Sequence, residues 1–343
     1  MTDSNEPIVI VSGADEGYAL PLAVTIRSVI DRLADSRRLD IYILDGGINE
    51  SSKERLCQSW EDPRVRIEWV TVNEEIFEGL PVSLHVTSAT YLRLAIAEHL
   101  PTTVGRAIYL DADMLVCRDL GLLWDEPQGD ALTLAVQDYA APYLDAASSM
   151  ASYAKAHPYL GATQPIANFR ELNLSPNAEY FNGGLLVIDI HRWRRERLMN
   201  RFWDCLSEHR EHVLWWDQYV LNVVLAGKWR SLDLRWNQGA HLFVYPIAAK
   251  SPFDQATFER LKHDPWIIHF CSPSKPWNYY CHHPAAKAFH QCLKRTEWRD
   301  WRAQRPKPFV SAWWRHHYKP VRNRWKTQAT QLKSSLGLTR RAA

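Results

Sequence analysis

Two aspartates one residue apart close an apolar run in Tyr109-Leu110-Asp111-Ala112-Asp113-Met114. If the chain turns there, both carboxylates can converge on one hard cation, which prefers oxygen donors. A second run, Ile267-Ile268-His269-Phe270-Cys271-Ser272-Pro273-Ser274-Lys275, delivers a histidine at the end of a short buried strand and a lysine six positions later. A histidine at a strand end is more often a packed residue than a ligand. Beside two carboxylates, however, it would complete a mixed oxygen and nitrogen donor set, and the lysine would add positive charge for a diphosphate.

The elements that must position these groups follow from hydrophobic periodicity. Strands are expected at Ile8 to Ser12, Ile41 to Leu44, Val65 to Val70 and Arg106 to Leu110, with a helix over Ala19 to Leu33 whose apolar residues recur at helical spacing. Further on, Leu132 to Val136 and Leu185 to Ile190 suit strands, and Arg192 to Glu208 and Trp216 to Leu225 suit helices. The proline-containing stretch from Ala140 to Glu179 suits a lid or an acceptor-binding insert. Strands alternating with helices imply a mostly parallel α/β sheet, in which ligands gather beyond the carboxyl ends of the strands. Asp111 and Asp113 lie at such an end.

The 343 residues are 46% hydrophobic and 23% charged, a composition that supports a large core. No run of eighteen apolar residues is present, and the first residues have no basic region ahead of a short apolar run, so neither a spanning helix nor a signal peptide is expected. Six cysteines, among them Cys271, show no regular spacing, which predicts a reducing, cytoplasmic setting. The net charge of +2 conceals an asymmetry. From Lys294 onward about fourteen lysines and arginines face only Glu297 and Asp300, leaving the rest net acidic by about ten charges. The basic groups alternate with Trp298, Trp301, Trp313, Trp314, Tyr318 and Trp325. Indole rings settle at headgroup depth and each cation gains about 1 kcal/mol near an anionic bilayer, so this segment is expected to attach the protein to the inner face of the cell membrane. A solvated basic tail and a nucleic-acid contact are the weaker readings. The division expected is a catalytic domain over 1–285 and a membrane-association tail over 286–343.

Seven motifs in one order resemble the family 8 retaining glycosyltransferases, especially the bacterial branch acting on lipopolysaccharide and lipooligosaccharide. They are IVIVSGADEGYA, LDGGI, HVTSATYLRL, YLDADMLV, EYFNGGLLVIDIHRWR, WWDQYVLN and HFCSPSKPW, spanning about residues 8 to 283. The resemblance implies a GT-A type fold, a Rossmann-like sheet with a nucleotide pocket at its strand ends. It implies Asp111, Asp113 and His269 as ligands of manganese, with magnesium the less suited ion, and a UDP-glucose or UDP-galactose donor. By the same resemblance Asp15 reads the uracil edge, Tyr18 stacks on the base, and Lys275 clamps the diphosphate. Arg93, Asn182 and Asp217 hold donor hydroxyls, with Asp138 and Gln218 on the reacting face of the sugar. His85 and Cys271 lie near a glycan or glycolipid acceptor.

Three positions depart from the family pattern: Tyr219 where a second aspartate is usual, Ser272 where glycine is usual, and Gly17 where a polar residue is usual. Two other classes of function are compatible with parts of the sequence. One is a sugar-nucleotide or glycan-binding protein without turnover. The other is a haloacid-dehalogenase-type phosphatase using Asp111 as nucleophile; in such enzymes that aspartate closes the first strand, whereas three strand-like runs precede it here.

Overall fold

Apolar runs with little alternation suit strands covered on both faces, and Ile8-Val9-Ile10-Val11 lies in an inner strand of a seven-stranded sheet. The computed structural model describes residues 6–72 and 88–305. In chain order its strands are β1 (Ile8–Ala14), β2 (Leu39–Asp45), β3 (Val65–Thr71), β4 (Arg106–Leu110), β5 (Met114–Val116), β6 (Thr133–Gln137), β7 (Phe181–Asp189), β8 (Trp229–Ser231), β9 (Gln238–Gly239) and β10 (Ile267–His269). The large sheet has the order β3-β2-β1-β4-β7-β6-β8. Strands β3, β2, β1 and β4 are parallel, β7 runs antiparallel to both its neighbours, and β8 is parallel to β6. The mostly parallel α/β sheet expected from the alternation is present.

Strand order reverses at β1, with β2 on one side and β4 on the other. Beyond the carboxyl ends of such a pair a crevice opens, and Asp111 follows β4 directly into it. A second, three-stranded sheet in the order β5-β10-β9 covers that end. The helix Ala19–Ile30 fixes the turn between β4 and β5 from below. Its buried Thr25 hydroxyl donates to the Ala112 and Met114 carbonyls at 2.8 and 2.9 Å, and the Ser28 hydroxyl accepts the Val116 N–H.

The pairing of β6 with β7 contains an irregularity. Ala135 faces Leu186, but the next residue, Val136, faces Asn182, so Gly183 to Leu185 have no β6 partner. Bulges of this kind re-aim side chains near active sites. The helix Trp216–Val224 lies against this stretch, where the Asn222 side chain clamps both the N–H and the carbonyl of Phe181 at 2.9 Å.

Two elements differ from expectation. The helix expected over Arg192 to Glu208 is two helices, Ile190–Arg195 and Leu198–Glu208, separated by Arg197 in the left-handed region with φ of 51°. Trp193 and Leu198 are both fully buried. Five residues apart on one continuous helix they would point about 140° away from each other, and the break lets both face the core. The basic segment is also not uniform. The helix Ala286–Leu293 packs on the helix Ala19–Ile30, and Phe289, Cys292, Leu293 and Trp298 are buried in the main core. Arg55 lies 4.0 Å over the Trp298 ring and donates to the Glu297 carbonyl. The apolar face of this stretch thus serves the folded body, although its charge pattern placed it in a membrane-facing tail. The remaining tail aromatics, Trp313, Trp314, Tyr318 and Trp325, lie outside the described residues. No helix among the described residues is long and apolar enough to cross a membrane.

Candidate active site

Two registers bring distant residues together. Between β4 and β7 the Asp111 N–H donates to the Gly184 carbonyl at 2.8 Å, and between β5 and β10 His269 sits opposite Met114 while the Phe270 N–H donates to the Asp113 carbonyl. As a result His269 Nε2 lies 3.1 Å from Asp113 Oδ1 and 3.5 Å from Asp111 Oδ2. One donor atom from each of the three residues lies within 4.8 Å of the others. Asp113 is 6% and His269 3% exposed. Two hard oxygens and one imidazole brought this close suit a divalent ion.

The fit extends to the backbone. A Cβ at Gly184 would lie 2.4 Å from His269 Cε1 and 2.8 Å from Asp111 Oδ2, so only glycine allows the strand to pass beneath the cluster. Lys275 Nζ donates to Asp113 Oδ2 at 2.5 Å and to the Phe270 carbonyl at 2.7 Å. Burial alone would raise the Asp113 carboxyl, but Lys275 and His269 beside it hold it well below the usual carboxylate range.

On the other wall the groups are held by a buried arginine and by amides. Arg93 pairs through Nε with Asp217 Oδ2 at 2.5 Å and through Nη1 with Asp111 Oδ1 at 3.1 Å, and it donates to the Gly183 carbonyl at 2.6 Å. Burial pushes the Asp217 carboxyl up to about 6; Arg93 pulls it down and the Asp111 charge pushes it further up. Asp138 accepts the N–H groups of Ala140 and Ala141 on Oδ1, and Asn182 Nδ2 and Gln218 Nε2 on Oδ2. All four hydrogen bonds point at one carboxylate, which fixes its orientation.

These walls enclose a cavity of about 1050 Å³, enough for a nucleotide-sized ligand. Of the residues singled out in the sequence, Tyr18, Arg93, Asp111, Asp113, Asp138, Asn182, Asp217, Gln218, His269, Cys271 and Lys275 all line it. Asp15 does not; it caps the 3-10 turn Glu16–Tyr18, accepting the Tyr18 N–H at 3.2 Å. His85 lies outside the described residues. Tyr219 is fully buried and donates to Asn168 Oδ1 at 2.8 Å, so its phenol turns away from the cavity and does not replace the missing carboxylate. Sequence reading missed Asn237, Tyr139, Trp215 and His241, which also line the cavity. None carried a sequence signal; Asn237 is picked out only by its place immediately before the two-residue strand that pairs with the strand of His269.

The model of the glycosyl transferase family 8 matches residues 9–281. General stress protein A of Bacillus subtilis is 28% identical over 297 residues, 86% of this chain and 96% of its own length. A lipopolysaccharide 1,2-glucosyltransferase of Escherichia coli K12 is 25% identical over 304 residues, 87% of this chain and 81% of its own. The crystal structure of the galactosyltransferase LgtC with donor and acceptor sugar analogs superposes with a TM-score of 0.69 at 24% identity, covering 85% of this chain and 99% of that one. That likeness shows the GT-A fold. The matched span runs from β1 to beyond Lys275 and so includes the described cavity-lining residues just named, and the chain belongs to glycosyl transferase family 8.

Proposed function

We propose that this glycosyltransferase moves glucose or galactose from a UDP-sugar to a glycan or glycolipid acceptor of the cell surface, with lipopolysaccharide the favoured pathway, and retains the anomeric configuration. The observation that carries this reading is the convergence of Asp111, Asp113 and His269 beside Lys275 on one wall of a cavity whose opposite wall presents Asn182, Asp138 and Gln218. Asp111, Asp113 and His269 would hold manganese, or less favourably magnesium, and that ion would neutralise charge developing on the departing diphosphate.

Lys275 adds a second cation on the leaving-group side. Its ammonium already bridges Asp113 and the Phe270 carbonyl, so it is oriented before substrate arrives. Arg93, Asn182 and Asp217 would hold the sugar hydroxyls, Tyr18 would stack on the uracil with Asp15 reading its edge, and His85 and Cys271 would border the acceptor. Attack from the same face as the leaving group is preferred over double displacement. Gln218 is a poor nucleophile, the Asp138 oxygens accept four hydrogen bonds, and Asp217 is tied to Arg93. A carboxylate so engaged has little lone-pair density left for a sugar carbon.

Incubation with UDP-glucose and UDP-galactose, with and without manganese, tests the reaction. UDP release that requires the metal supports it. Binding without release would favour a non-catalytic reader of sugar nucleotides, and phosphate release from simple esters would favour the hydrolase. The membrane reading is carried by residues 306–343, which hold nine lysines and arginines, no acidic residue and three tryptophans. A chain ending at residue 305 should keep its UDP-sugar chemistry and lose sedimentation with anionic vesicles. Continued sedimentation would overturn peripheral attachment at the inner face of the membrane.

A further inference from the structure

The hydrogen-bond polarity of the amide wall can be deduced from two backbone groups. Gly184 N–H is a donor by necessity, and it lies 3.0 Å from Asn182 Oδ1, which makes that atom an acceptor. The Asn237 atom 3.0 Å from the same oxygen must then be the amide nitrogen. The remaining Asn237 oxygen, 2.9 Å from His269 Nδ1, can only accept. His269 therefore carries a hydrogen on Nδ1, which leaves Nε2 as the atom facing Asp111 and Asp113.

Gly183 N–H sets the other branch in the same way. It donates to Gln218 Oε1 at 3.1 Å, so Gln218 Nε2 must be the group donating to Asp138 Oδ2. Both glycine N–H groups belong to the part of β7 that β6 leaves unpaired. Asn237 is 2% exposed and sits where β9 pairs with β10, with Gln238 opposite Ile268 and Gly239 opposite His269.

We propose that Asn237 is a positioning residue with two separable tasks: its oxygen fixes His269 in the Nδ1–H form that presents Nε2 to a metal, and its amide nitrogen holds Asn182 in the orientation the sugar wall requires. Partners of this kind raise the affinity of a ligating imidazole, and their loss typically costs about 10- to 100-fold in metal binding. The inference rests on the metal-site reading of Asp111, Asp113 and His269, but its two halves can be tested apart from turnover.

Two variants of the full chain separate the tasks. Asn237→Leu removes both, whereas Asn237→Asp keeps an acceptor for His269 Nδ1–H and loses the donor to Asn182. Proton–nitrogen correlation spectra of the metal-free protein, with the His269 signal assigned by its absence in His269→Gln, should show Nδ1–H in the parent and in Asn237→Asp, and lose that single form in Asn237→Leu. Manganese binding in the presence of UDP, followed by electron paramagnetic resonance of the free ion, should weaken about 10- to 100-fold in Asn237→Leu and stay within about threefold of the parent in Asn237→Asp. Turnover of UDP-sugar should fall at least about tenfold in Asn237→Asp despite that retained metal. Absence of a hydrogen on Nδ1 in the parent, parent-like manganese affinity in Asn237→Leu, or parent-like turnover in Asn237→Asp would overturn the proposal. A protein with the Nδ1–H form that binds no manganese would instead refute the metal-site reading and leave the tautomer assignment standing. If Asn237→Leu does not fold, the isosteric Asn237→Asp and the parent spectrum carry the test.

Discussion

The two walls of the cavity are organised by different physics. On one wall, Asp111, Asp113, His269 and Lys275 are ionisable groups that meet within ion-pair distance. On the other wall, Asn182, Asn237 and Gln218 are neutral amides whose two ends differ only in which atom donates. Charge attraction tolerates small shifts, because Coulomb energy falls slowly with distance. An amide tolerates none of the wrong polarity, since a flip exchanges every donor for an acceptor. The protein supplies ion pairs and sheet register to the first wall and two unshared glycine N–H groups to the second.

Breaking the charged wall should have the largest effect. Asp113→Asn preserves shape but removes the charge between His269 and Lys275, and UDP release should drop at least about 10³-fold. Near-normal release at saturating manganese would mean that the charged wall is not the catalytic one. Gly184 lies at the seam between the walls, touching His269, Asp111 and Asn182 at once. Gly184→Ala should reduce kcat about 10²-fold with the fold retained in circular dichroism. A fully active alanine variant would show that the two walls can separate without cost.

Asp217 offers a sharper comparison by pH. Its carboxyl rises from 3.8 to about 6 on folding, chiefly through burial. The folded chain then keeps a proton that the unfolded chain has already lost, so the contribution to stability is full below pH 3.8 and is lost as pH rises through about 6. Between pH 4 and pH 6 the parent should lose about 1–3 kcal/mol that Asp217→Asn does not lose. Denaturant unfolding at several pH values measures this, and parallel curves for the two proteins would refute it. The smallest effect belongs to an amide outside the cavity. Tyr219→Phe leaves the Asn168 oxygen without its donor and should cost about 1–2 kcal/mol in stability, while kcat in the UDP-release assay stays within about twofold.

The charged wall was legible in the sequence because its residues carry chemistry in their names. Asp111 and Asp113 follow an apolar run, and His269 ends another, so strand ends and candidate ligands could be read together. The amide wall was half legible. Asn182 and Gln218 came through family resemblance, whereas nothing in Trp236-Asn237-Gln238 marks the asparagine until β9 is seen beside β10. The break at Arg197 was hidden for a related reason. The run from Arg192 to Glu208 is locally a good helix, and only the need to bury Trp193 and Leu198 on one side divides it. Charge counting likewise drew the tail boundary too early, since net charge says nothing about Phe289 and Trp298 on the inward face.

The seam between the helix Ala286–Leu293 and the helix Ala19–Ile30 ties the end of the folded body to the residues that hold the metal-side turn. Thr25 and Ser28 grip the β4–β5 connection from one face of that helix, while Cys292 reaches the Val24 carbonyl on it at 3.6 Å. Two segments more than 250 residues apart in the chain are thus packed together, and they are expected to open together. Occupancy of the site should slow amide exchange in the late helix by the same factor as in the early one, a mechanical echo of ligand binding in a stretch that touches no ligand.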